Sequence, residues 1–139
     1  MCAVTWVLEQ ELELALEAIT SAIAEFLPKS HADAPVWRNY TSWREWYARK
    51  GAQYLDTRGW LLFKLGRVDE ATADVQQSII MKEMEENHHH LATVLLDQGQ
   101  PAAAFESLVQ AALVRQYRGL LAHGQLDDAV QDILPLLRV

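Results

Sequence analysis

Leu55-Asp56-Thr57-Arg58-Gly59-Trp60-Leu61-Leu62-Phe63-Lys64-Leu65-Gly66-Arg67, followed by Val68-Asp69-Glu70-Ala71, is the stretch that decides the fold. The run up to Leu65 reads as helix. Gly66 ends it, because a chain leaving a helix often takes the left-handed conformation that only glycine adopts without cost. Gly66 and Ala71 recur as Gly99 and Ala104 at an offset of 33 residues, and again as Gly124 and Ala129 after a further 25. Each alanine falls in the helix after the turn, where a small side chain lets two antiparallel helices approach closely. The pattern predicts helix hairpins in series.

Upstream, residues 7–27 carry Leu8, Leu12, Ala15, Leu16, Ile19, Ile23 and Phe26 at spacings of three and four, one face of a helix that Thr5 is placed to cap. Pro28 and the polar run after it end that helix. Pro35 suits the first turn of the next, since the N–H it lacks would have had no partner there. A second helix is expected over residues 35–50, so that residues 1–51 make one further hairpin. Six glycines and four prolines leave little punctuation for the many tight turns of an all-β fold. With 139 residues, half of them hydrophobic and 22% charged, the chain reads as a single globular all-α domain.

The formal charge of -7 is spread along the sequence without a basic arm. Non-specific nucleic-acid affinity comes from clustered Lys and Arg, so no nucleic-acid partner is expected. No segment reaches the apolar length of about 20 residues that a bilayer crossing needs. The first residues lack the pattern of a secretory signal, and a lone cysteine, Cys2, makes no internal disulfide. The expected compartment is the cytoplasm.

The glycine and alanine register resembles the tetratricopeptide repeat, a helix-turn-helix unit of about 34 residues that stacks into a superhelix. The resemblance covers residues 52–137. Leu55 takes the position that is usually Trp, Gly59 the small crossing position, Leu62 the usual aromatic, Gly66 the turn, Ala71 the small contact and Val75 the position often Phe. Leu91, Ala92, Leu95, Gly99, Ala104, Leu108 and Ala111 follow in the second copy. Arg58 stands where Leu is usual, His88 falls at the Trp position, and Glu83 and Gln116 replace the closing proline. Only 19 residues separate Ala104 from Gly124, so either the third copy has a short first helix or one helix runs unbroken over residues 101–123. The resemblance implies seven or eight helices, paired antiparallel in a short right-handed superhelix.

It also implies a function. In such proteins the first helix of each repeat lines a concave groove, and the corresponding residues here are Gln53, Asp56, Trp60, Phe63 and Lys64, then Glu86, His89, Thr93, Leu96 and Asp97. The implied activity is non-enzymatic binding of a protein or peptide segment, as an adaptor or assembly scaffold. An apolar side chain next to Lys or Arg would suit a groove with aromatic anchors and carboxylates. Trp60 and Phe63, three apart, are expected to form one platform; packing of Phe63 against Leu96 is the alternative use of that ring. Relatives that grip a terminal carboxylate use Lys and Asn where this chain has Asp56 and Trp60, so that mode is not expected. A self-oligomerisation module is the second reading. Val130, Ile133, Leu134, Leu136 and Leu137 make an apolar end suited to fold back or to pair with a second copy.

Chemistry-bearing clusters are few. His88, His89 and His90 follow Glu85 and Glu86, which would suit a small helical metalloprotein, but consecutive helical residues point 100° apart and no second Glu-x-x-His exists. One packed and two solvated histidines are expected, with no metal and no cofactor. Cys2 and the serines sit in no strained elbow or glycine-rich loop, and no catalytic residue is assigned. In the run from Val36 to Tyr47, helical spacing puts Val36, Tyr40, Trp43 and Tyr47 on a core face. Trp37 and Trp46 flank it, one of them available to a partner or to Arg38, Arg44 or Arg49.

Overall fold

Two turns 33 residues apart share one geometry. Gly66 has φ 81° and Gly99 φ 73°, with open space around both. Gly66 N–H donates to the Phe63 carbonyl at 3.0 Å and Arg67 N–H to that of Leu62 at 2.9 Å. Gly99 and Gln100 repeat these bonds to Leu96 and Leu95 at 3.1 and 2.9 Å. This paired pattern satisfies carbonyls that a helix end would leave without donors.

The computed structural model describes residues 3–29 and 39–122, with side chains for 8–29, 39 and 42–118. The regular structure there is wholly helical: α1 (Ala3–Phe26), α2 (Tyr40–Lys64), α3 (Val68–Met81), α4 (Glu85–Asp97) and α5 (Pro101–Ala122). The chain divides into two compact units, Met1–Glu83 and Met84–Val139. No helix among the described residues is long and apolar enough to cross a membrane.

In the first unit, α2 packs against both α1 and α3. Leu16, Leu62 and Ala71 form a buried cluster joined by Ile19, Leu61, Phe63 and Leu65. The Ser78 hydroxyl donates to the Ala52 carbonyl at 2.6 Å, tying α3 to the α2 backbone. Near the start of α2, Phe26 is a hub: its ring stacks on Tyr47 at 5.1 Å and meets Trp46 and Tyr54 edge-on at 5.5 and 5.2 Å. Trp43 is buried beneath them and the Tyr47 hydroxyl donates to the Leu27 carbonyl, so Trp43 and Tyr47 belong to the core. In the second unit, α4 packs on α5 through Ala92, Leu95 and Ala104, with Leu91 and Ala103 beside them.

Five helices stand in the described residues where seven or eight were expected along the chain, and two mergers account for much of the difference. The helix expected to end at Lys50 runs on through Gly51 to Lys64 as α2. Gly51 is there for a neighbour: a Cβ on it would lie 2.4 Å from Met81 Cε and 3.0 Å from Met81 Sδ, so the missing side chain admits Met81 of α3. Likewise α5 is unbroken from Pro101 to Ala122, the second of the two arrangements open from sequence. Helix starts differ as well. α1 begins at Ala3, before Thr5, and α2 begins at Tyr40, where Asn39 caps it by accepting from Ser42 N–H at 2.8 Å. Pro35, Trp37, Gly124, Ala129 and the apolar residues from Val130 to Leu137 lie outside the described residues.

Candidate functional site

α2 and α3 cross closely because both small residues at the crossing are buried. A Cβ on Gly59 would meet Val75 Cγ2 at 2.7 Å and the Ala71 carbonyl oxygen at 3.2 Å, and Ala71 has no exposed surface. That crossing fixes the rotation of α2, and with it the face carrying Gln53, Trp60, Phe63 and Lys64. The rings of Trp60 and Phe63 lie 5.3 Å apart, tilted by 31°, and Lys64 Nζ sits 4.8 Å from the centre of the Trp60 ring. Both rings are half-buried, and Phe63 packs on the Leu16, Leu62 and Ala71 cluster. The platform is therefore anchored to the core through Phe63. Gln53 and Lys64 are exposed.

Asp56 departs from the expected groove: it is only 7% exposed, so its carboxylate is not offered to solvent beside Trp60. Asp56 lies one turn before Trp60 on the same side of α2, but at its buried edge beside Leu55. The exposed part of this surface is thus aromatic and basic, without the acid read into it.

Close by, Arg58 reaches α3. Its Nε donates to Asp74 Oδ2 at 2.6 Å and its Nη2 to Asp74 Oδ1 at 2.9 Å. The bonds to Asp74 hold the guanidinium above its ordinary pKa against the opposing effect of burial. A concavity of about 360 Å³ opens beside the pair, lined by Leu16, Thr20, Leu62 and Ala73 and by the charges of Arg58, Asp74, Arg67 and Glu70. Arg67 forks onto Glu70 at 3.0 and 2.8 Å, so the charges around this hollow balance.

In the second unit α4 exposes Glu86, His89, Thr93, Leu96 and Asp97. The Thr93 hydroxyl donates to the His89 carbonyl at 3.1 Å. His88 is buried, His89 exposed and His90 between the two. Asn87, fully buried, accepts from Met84 N–H at 3.0 Å and so closes the start of α4. Glu85 receives Arg115 from α5, with Nε at 2.8 Å, while His89 Nε2 stands 3.6 Å away. The Arg115 hydrogen bond holds the Glu85 carboxyl below the usual glutamate range. Among the described residues no three His, Cys, Asp or Glu side chains are gathered as metal ligands; His31 and His123 lie outside them.

Of the two flanking tryptophans, Trp46 is half-buried and packs on Phe26 and, at 5.1 Å, on Trp43, while Trp37 lies outside the described residues. The sequence reading also missed an outward-facing pair on α5. Leu108 stands at the position of buried Val75 yet is 40% exposed, and Phe105 is 67% exposed. Their three-residue spacing was the available signal. No family model, curated protein or solved structure matches the chain.

Proposed function

We propose that the chain is a non-enzymatic helical-repeat protein of tetratricopeptide type, its hairpins stacked as a short right-handed superhelix, that binds a peptide segment of a partner protein in the cytoplasm as an adaptor or assembly scaffold. The observation that carries this reading is the Trp60–Phe63 platform: two half-exposed aromatic rings in contact, Phe63 packed on the core beneath, the kind of anchor that dominates peptide affinity. Such a pair seats one apolar side chain.

The test places a photo-crosslinking residue at exposed Gln53, identifies the captured protein by mass spectrometry, and titrates a peptide from it against wild type and Trp60→Ala. At least tenfold weaker binding by Trp60→Ala, with helicity unchanged, supports the reading. Equal binding by the two overturns it. Light scattering at low concentration separates it from a self-oligomerising module, which would not be a dilute monomer.

A further inference from the structure

The α4–α5 hairpin has an apolar side that its own packing leaves open. α5 faces α4 with Ala104, Ser107 and Ala111, all buried. Phe105, Leu108 and Ala112, spaced three and four apart, form a second row about 100° round the same helix. On α4, Ala92 and Leu95 face α5, and Leu96 lies about 100° further round. The two helices are antiparallel, so equal rotations in the chain direction bring Leu96 and the α5 row to the same side of the hairpin. All four residues are exposed, Leu96 at 56%. In the first hairpin the row equivalent to Phe105, Leu108 and Ala112 is Thr72, Val75 and Ile79, none of which is exposed.

Charge says what this side accepts. Residues 83–114 contain five acids and no Lys or Arg. Glu85 is taken by Arg115, but Asp97 adjoins Leu96 and Glu106 adjoins Phe105, and both are exposed. A second copy fits poorly. Paired through this same side, it would set the same acids against one another. We infer that the Leu96–Phe105–Leu108 side of this hairpin docks an amphipathic helix from another protein whose apolar stripe is flanked by Lys or Arg. The inference does not rest on the Trp60 platform, which belongs to the other unit.

The probe is a labelled 18-residue Leu/Lys peptide with an amphipathic helical pattern, alongside a Leu/Glu peptide of the same pattern, each titrated against the full chain by fluorescence anisotropy. Saturable binding of the Leu/Lys peptide alone is expected. Phe105→Ala and Leu108→Ala together should weaken it at least tenfold, Trp60→Ala should leave it unchanged, and Glu106→Gln should flatten its salt dependence. The inference is overturned by wild-type affinity in the Phe105/Leu108 double variant, by equal binding of the Leu/Glu peptide, by binding lost on Trp60→Ala alone, or by a stoichiometric dimer in light scattering that Phe105→Asp abolishes.

Discussion

Arg58 and Asp74 form a two-pronged ion pair between α2 and α3, at 2.6 and 2.9 Å, on positions that 33 residues later are Leu91 and Ser107. In the second hairpin Leu91 packs on the Ala92, Leu95 and Ala104 cluster, and Ser107 donates to the Ala103 carbonyl of its own helix at 3.2 Å. One crossing is thus built in a charged and an uncharged version. Arg58→Leu alone should cost about 1–2 kcal/mol in urea unfolding, less than a fully buried pair because the arginine side chain is 25% exposed. Arg58→Leu with Asp74→Ser should return to within about 1 kcal/mol of wild type, since no unpaired charge remains. A double variant no more stable than the single would refute the equivalence.

The three kinds of small residue in the first hairpin should respond differently. At Gly66 nothing crowds a new side chain, so Gly66→Ala should cost about 1–2 kcal/mol from the left-handed backbone alone, and Gly66→Asn less. Gly59→Ala meets Val75 and backbone, and should cost about 1–3 kcal/mol, as should Ala71→Leu. Gly51→Ala meets mainly the flexible end of Met81, and relief of a helical glycine is worth up to about 1 kcal/mol, so it should be nearly neutral. Thermal melts of the five variants give the order directly.

Glu85 supplies a pH test. Its folded pKa is lowered, chiefly by the Arg115 hydrogen bond, so its contribution to stability is present above the unfolded value of about 4.3 and is lost as pH falls through the lower folded value. Arg115→Gln should move the Glu85 carboxyl back up toward the ordinary range in an NMR titration. The same titration should show Glu70 rising in Arg67→Gln, since Arg67 lowers it in the same way. Unmoved carboxyls would mean that the two arginines are not so placed in solution.

The partner segment should distinguish anchor from rim. Trp60→Ala should cost about 2 kcal/mol or more of binding, whereas Lys64→Gln, at the exposed edge of the platform, should chiefly change the dependence of association on salt. Trp46→Ala should act on stability instead, because its ring is packed on Phe26 and Trp43. Binding lost on Trp46→Ala at unchanged stability would move the site to the N-terminal aromatic face.

Backbone requirements were legible in the residues themselves. Glycine at the two left-handed turns, alanine at the two crossings and the helical spacing of Trp60 and Phe63 each follow from what one residue type can do locally, and these made the hairpins readable. Gly51 was misread because a glycine that ends a helix and one that admits a neighbour look alike in sequence; only the position of Met81 separates them. For the same reason Asp56 turned out buried, and Leu108 stood open where Val75 is closed. Periodicity assigns a residue to a face of its own helix. Whether that face meets another helix or water depends on packing between elements distant in the chain, and that only the tertiary structure decided.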